Sequence, residues 1–398
     1  MLTSLALIFL TGLSLGAVFK RLRLPSLLGM LLAGVLLGPY VLNLISGSIL
    51  GISTELRQIA LIVILLRAGL SLDFSDLKRV GRPAVLMCFV PACFEILGMV
   101  LLAPAVLGIS RLDAAILGSV IAAVSPAVVV PRMLKLMDEG YGRKKSIPQL
   151  IMAGASVDDV FVIVLFTSFT SLAKGSGVSA LQFLQIPVSI LLGAAVGLLC
   201  GFGLSAWFQK MHMRDSVKLI ILLCLSFLFV SFEKVAEGIL AFSGLLAVMA
   251  MGISVLKFYP VLARQISPKL SKLWVAAEVL LFVLVGATVD ITYAASAGFS
   301  VLALVLFALL FRMLGVGVSL LKTPLNWKER LFCMVAYLPK ATVQAAIGGL
   351  PLAMGLPCGQ IVLTAAVVSI LVTAPLGALG VDLSYRKLLA GEQKEAEP

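Results

Sequence analysis

The chain has 398 residues, 61% of them hydrophobic and 13% charged, with a mean hydropathy of +1.14 and a formal net charge of +12. A soluble domain carries about 25% charged residues, and no folded ball of this length has interior enough to hide so much apolar surface. A soluble globular enzyme and a disordered chain are both excluded, and lipid is the solvent for most of this protein.

Apolar runs of roughly the 20 residues that a lipid-spanning helix needs occur thirteen times. They lie at 2–19, 25–45, 55–72, 83–107, 111–131, 148–173, 181–207, 216–232, 236–256, 272–294, 298–321, 328–350 and 358–384. The first has no basic residue ahead of it and no small-residue cleavage site behind it, so it reads as a retained helix rather than a signal peptide. The polar stretch 385–398 reads as a short, loose tail.

The loops test the count. Of the 31 Lys and Arg residues, 24 fall on one side when loops are assigned alternately, among them Lys20, Lys78, Arg79, Arg143, Lys144 and Lys387. Only Arg57, Arg111, Lys174 and Lys234 fall on the other, and Arg67, Arg312 and Lys340 lie inside spans. The positive-inside rule then puts the N-terminus outside and the C-terminus in the cytoplasm of a plasma (inner) membrane protein. The same split disposes of nucleic acid as a partner, because the basic residues are dispersed between apolar runs.

Charges at depth are expensive and mark function by default. In span 4, Glu95 stands in FVPACFEILGMV, either as a neutral packing hydrogen bond or as half of a salt bridge. In span 5, IAAVSPAVVVPRML carries Pro126 and Pro131, each of which removes a backbone donor and is expected to break the helix. A break near Ser125 and Pro126 would free carbonyls that, with the Ser125 hydroxyl, suit a cation; a simple kink is the alternative. In span 6, GASVDDVFVIVLF holds Asp158 and Asp159, adjacent and therefore about 100° apart on a helix. Such carboxylates suit exchange of a proton or binding of a hard cation; a pair locked in salt bridges is the alternative.

Gly193, Gly197 and Gly201 in span 7 form a small-xxx-small packing face. Arg312 in span 11 needs a carboxylate, with Asp158 and Glu95 as candidates. Span 12 contains LPKATVQAAIG, where Pro339 interrupts the run and Lys340, Thr342 and Gln344 follow. A Lys there is placed to neutralise helix-end carbonyls, with snorkelling to the interface as the alternative.

Weak internal symmetry accompanies these features. Residues 1–173 (spans 1–6) and 216–384 (spans 8–13) read as two inverted six-helix repeats, with span 7 within 174–215 as the linker and 385–398 as the tail. Inverted repeats with interrupted helices in matching places point to a secondary transporter with a midplane site. No phosphate loop or redox-cofactor motif is present, so no cofactor is expected and ion gradients must supply the energy. One His and six scattered Cys offer no zinc site.

Taken together, AVSPAVVVP, GASVDDV and LPKATVQAAIG resemble the cation:proton antiporter superfamily, specifically the NHA branch of sodium/proton exchangers. The resemblance implies an all-α polytopic membrane protein with 13 transmembrane helices, two inverted six-helix repeats and crossed broken helices at spans 5 and 12. It implies a homodimer whose mobile core carries Na⁺ or Li⁺ against H⁺ by an elevator-type movement. By the same resemblance, Asp159 is the exchanging carboxylate and Asp158 the partner of Arg312. From the residues themselves, Ser125 is expected to complete the ion site, and Lys340 and Glu95 to compensate charge. A K⁺/H⁺ antiporter on the same site and a non-transporting membrane sensor on this fold are the alternatives. Two departures bear on stoichiometry. Many relatives have Lys where this chain has Arg312, and a Thr-Asp pair where it has Val124-Ser125-Pro126. A Lys can release its proton during transport, whereas an Arg stays charged.

Overall fold

The computed structural model describes residues 1–22, 24–71, 80–174, 180–211, 213–236 and 242–390. The basic loop residues Lys78 and Arg79, and the last eight positions of the tail, lie outside the described residues. The described elements are helical throughout: α1 (Leu2–Arg21), α2 (Ser26–Leu37), α3 (Gly47–Gly51), α4 (Ser53–Ser71), α5 (Arg82–Met87), α6 (Val90–Leu107), α7 (Arg111–Ile121), α8 (Pro126–Asp138) and α9 (Ile147–Lys174). There follow α10 (Ala180–Lys210), α11 (Asp215–Val235), α12 (Gly244–Phe258), α13 (Pro260–Ala287), α14 (Ile291–Ser319), α15 (Trp327–Ala336), α16 (Thr342–Ile347), α17 (Leu350–Ala353) and α18 (Gly359–Leu388).

Each of the thirteen apolar runs carries helix. Among the described residues, nine helices are long and apolar enough to cross a membrane. The apolar helices Ser26–Leu37, Gly244–Phe258 and Thr342–Ala353 are shorter. Helix α4 has the length but carries Glu55, Arg57 and Arg67.

Two boundaries differ from the hydropathy pattern. The run 272–294 ends as helix at Ala287, and α14 starts at Ile291 rather than 298. Asp290 causes the change, because its carboxylate accepts from the backbone N–H and hydroxyl of Thr292 at 2.9 and 2.6 Å. A side-chain cap of this kind starts a new helix inside an apolar stretch. At the other end, α18 runs on to Leu388, past the expected limit of its span.

The chain forms two compact units. One comprises Met1–Gly47, Asp73–Val162 and Phe282–Pro398; the other comprises Ser48–Leu72 and Ile163–Leu281. In the first, α2 packs on the last turns of α13 through reciprocal glycines. A Cβ on Gly34 would overlap the Val283 carbonyl, and one on Gly286 would overlap that of Leu31. The same unit has a dense cluster that includes Met87, Val124, Ile151, Phe332 and Tyr337. In the second unit, the glycine face of α10 lies on α12. A Cβ on Gly193, Gly197 or Gly201 would drive into the carbonyl oxygens of Ser243, Ala247 and Met251 in turn. Lipid supplies no hydrophobic drive between helices, so close backbone contact of this kind is what holds them together.

Candidate functional site

Two helix interruptions in the first unit meet. Helix α7 ends at Ile121 and α8 starts at Pro126, so Pro126 occupies a first-turn position that needs no backbone donor. Helix α15 ends at Ala336 and α16 starts at Thr342, with Pro339 between them. The N–H of Ser125 donates to the Pro339 carbonyl at 2.8 Å. Pro131 is not a break, which corrects that expectation. It lies within α8, which continues to Asp138, and Arg132 supports the turn by donating to the Val128 carbonyl at 2.9 Å.

A buried backbone polar group must find a partner. The Ala122 N–H and the Ser125 carbonyl pair within the flanking helices, and other groups of the segment 121–125 find partners outside them. Gln344 Nε2 donates to the carbonyls of Ala123 at 2.9 Å and Ile121 at 3.3 Å. Arg312 Nη1 donates to the Ala122 carbonyl. The Val124 N–H donates to Asp158 Oδ2 at 2.8 Å. On the other break, Arg312 Nε donates to the Tyr337 carbonyl at 2.8 Å, and the Lys340 N–H to Thr373 Oγ1 at 3.0 Å.

The charges form one cluster around these breaks. Arg312 Nη2 lies 2.8 Å from Asp158 Oδ2, and Nη1 lies 2.9 Å from Glu95 Oε2. Lys340 Nζ lies 2.7 and 2.8 Å from the two Glu95 oxygens. All four side chains are fully buried. Both sequence candidates therefore pair with Arg312, and Glu95 is a salt-bridge residue held by two cations. Lys340 corrects the expectation that it neutralises helix-end carbonyls. Its ammonium is a point charge and goes to the carboxylate, while the planar fork of Arg312 serves carboxylates and carbonyls together.

Asp159 is different. It is 8% exposed, its Oδ1 is buried without a hydrogen-bond partner, and among the described residues no cation lies within ion-pair distance of it. The other buried oxygens without protein partners include Asp158 Oδ1, Ser125 Oγ, Thr342 Oγ1 and Gln344 Oε1. With every acid and base ionised, Glu95, Asp158 and Asp159 outnumber Arg312 and Lys340 by one negative charge. The cluster is thus balanced by a single positive charge, whether a proton or a monovalent cation.

Tyr337 and Gly154 belong to the site without having been singled out from the sequence. The Arg312 guanidinium lies 5.4 Å from the centre of the Tyr337 ring. The Tyr337 hydroxyl fills the space where a side chain on Gly154 would stand. Gly154 is one turn before Asp158 on the same face of α9. The available signal was positional, since one residue precedes the LPK break by two positions and the other precedes the acid pair by one turn.

The family described as "Sodium/hydrogen exchanger, transmembrane" matches residues 5–382. The human protein named Sodium/hydrogen exchanger 9B2 is 37% identical over 384 residues, covering 92% of this chain and 70% of that protein. Human Sodium/hydrogen exchanger 9B1 is 31% identical, covering 98% and 78%. Among solved structures, the sodium proton antiporter MjNhaP1 from Methanocaldococcus jannaschii superposes with a TM-score of 0.83 at 21% identity. That match covers 96% of this chain and 97% of the other, and shows a shared fold. An all-helical polytopic fold, two interrupted helices joined at a buried charge cluster, and a family match along nearly the whole chain lead to one assignment: this chain belongs to the transmembrane sodium/hydrogen exchanger family, whose members are transporters and not enzymes.

Proposed function

We propose that this chain exchanges Na⁺, and Li⁺ in its place, for H⁺, with Asp159 as the carboxylate that holds either the cation or the proton. The supporting observation is Asp159 itself, a buried acid with no cation at ion-pair distance among the described residues, next to an acid that is ion-paired to Arg312 through Oδ2. An uncompensated charge at this depth costs at least about 2.5 kcal/mol, so the carboxylate is occupied by one positive species at a time. Competition for that one place couples the two fluxes. Asp158, Glu95, Arg312 and Lys340 balance each other and stay fixed, while Ser125 Oγ is a neutral oxygen on the neighbouring break.

The architecture proposed with this activity has thirteen spans in two inverted repeats, 1–173 and 216–384, joined through 174–215. The N-terminus is outside, in the plasma (inner) membrane, and the active form is a homodimer. The unit that holds the site carries it between the membrane faces as a rigid body. The asymmetry of basic residues between the two sets of loops supports the orientation.

The test is reconstitution of the whole chain in liposomes with an internal pH dye and a panel of Na⁺, Li⁺ and K⁺. Na⁺ and Li⁺ are expected to drive proton movement, and Asp159→Asn to abolish it. Full exchange by Asp159→Asn overturns the assignment of that residue. Exchange driven by K⁺ alone replaces the cation, and binding without flux in any salt replaces transport with sensing.

A further inference from the structure

The break between α7 and α8 exposes carbonyl groups that elsewhere make good ligands for alkali cations. In this chain they are not free. The carbonyls of Ile121 and Ala123 each receive a hydrogen from the amide of Gln344, and that of Ala122 receives one from Arg312. Gln344 reaches them from α16, on the other side of the paired breaks, and is fully buried.

The orientation of that amide follows from chemistry. Only its NH₂ can face two carbonyl oxygens, so its Oε1 must point the other way, and there it is buried without a partner. A buried acceptor left unpaired costs about 1–3 kcal/mol. A Leu or Met at this position avoids that cost but strands two backbone carbonyls. The arrangement therefore gives up one acceptor to satisfy two.

On the reading that the chain is a cation/proton exchanger, we propose that Gln344 is a specificity-determining residue: its amide withholds the carbonyls of Ile121 and Ala123 from the transported cation and thereby sets the preference for Na⁺ over K⁺. Neutral carbonyl oxygens arranged as a cage replace the hydration shell of K⁺. A site that offers a carboxylate and few neutral oxygens has a higher field and favours the smaller ion. With the amide in place the cation meets the second kind of site. Without it, two carbonyl dipoles turn towards the cation and the site moves towards the first kind. Gln344 does not touch the exchanging carboxylate in this structure, so its effect falls on which cation is carried rather than on whether protons move.

The experiment compares wild type with Gln344→Met, which keeps the length and removes the donor, and Gln344→Asn, which keeps the amide but withdraws it by one methylene. Each whole chain is reconstituted in liposomes and the apparent KM for Na⁺, Li⁺ and K⁺ is measured from proton flux. The ratio of KM for K⁺ to KM for Na⁺ is expected to fall by about tenfold in Gln344→Met, the change that about 1.4 kcal/mol produces, with a smaller fall in Gln344→Asn. In parallel, the melting temperature of the purified protein in detergent is recorded in NaCl and in KCl. The Na⁺-specific rise in wild type is expected to give way to comparable rises in both salts.

An unchanged KM ratio, with only a lower maximal rate for all cations, overturns the proposal and leaves Gln344 a structural clasp. The thermal measurement reports on the same preference where a variant is too unstable to reconstitute, and an undiminished Na⁺ preference there overturns it equally. Absence of exchange by wild type in every salt overturns the exchanger reading and this proposal together, whereas wild-type exchange with unaltered selectivity in both variants overturns this proposal alone.

Discussion

The Ser125 N–H and the Pro339 carbonyl are hydrogen-bonded at 2.8 Å, so the break in one half of the chain is closed by the break in the other. Neither interruption is satisfied by its own helix alone. Gln344 and Arg312 complete the joint from α16 and α14. The breaks, the buried charges and the Asp158–Asp159 pair are one structure.

Asp158 and Asp159 are expected to respond in opposite ways to loss of charge. Asp158→Asn removes the partner of Arg312 Nη2, and breaking a buried pair costs about 3–5 kcal/mol. Its melting temperature in detergent should fall sharply. Asp159→Asn removes an acid that has no ion-pair partner, so its melting temperature should hold or rise while exchange is lost. Equal destabilisation by both substitutions would contradict the division of roles.

On the proposed competition between Na⁺ and H⁺ at Asp159, the apparent KM for Na⁺ should rise with acidification while the maximal rate at saturating Na⁺ changes less. A maximal rate that falls with pH at constant KM would show that the proton acts at a different place. Arg312 remains protonated throughout the usable range, so no part of the profile is assigned to it.

Arg312→Lys tests the guanidinium fork. A Lys supplies the charge but not the simultaneous contacts to Glu95, Asp158 and the carbonyls of Ala122 and Tyr337. The expected loss is about 1–3 kcal/mol per carbonyl left unpaired, seen as a lower melting temperature and reduced flux. Wild-type behaviour in Arg312→Lys would reduce the residue to a simple counter-charge.

Gly154→Ala should disable the site through Tyr337, because the new methyl group meets the Tyr337 hydroxyl. That hydroxyl has no hydrogen-bond partner. Tyr337→Phe should therefore be nearly neutral alone, and should recover much of the activity and stability lost in Gly154→Ala when the two are combined. Additive effects in this double-mutant cycle would separate the two residues.

In the second unit, Gly197→Val should lower the melting temperature and the yield of folded protein, because the α10 seam brings Gly197 against the Ala247 carbonyl and the Ala250 side chain. Overpacking of this kind typically costs about 1–3 kcal/mol. An unchanged melt would show that α10 can shift along α12 without loss.

Much of this was legible in the residue string, and the reasons are physical. Run length reports lipid thickness directly, so every apolar run proved to carry helix. Depth makes charge costly, so Glu95, Asp158, Asp159, Arg312 and Lys340 stood out against an apolar background, and the structure gathers them. The choice of partner did not show. Lys340 goes to Glu95, 245 positions away, and no local pattern encodes that distance. Proline chemistry showed where donors are missing, but not that Pro131 would be carried inside α8. The start of α14 was hidden because Asp290, a single cap, overrides an apolar stretch. Tyr337 and Gly154 carry no charge and resembled ordinary packing residues.

The order of the charged residues along the chain has a consequence for how the protein is made. Both acids that pair with Arg312 precede it, Glu95 by 217 positions and Asp158 by 154, and Glu95 precedes Lys340 by 245. The acids therefore emerge from the ribosome and enter the bilayer long before Arg312 or Lys340 arrives. A carboxyl group can wait in lipid by taking up a proton, whereas a guanidinium has no neutral form to wait in. Acid-first synthesis puts the tolerant partners in place early, and each late cation inserts into a membrane that already holds its counter-ion.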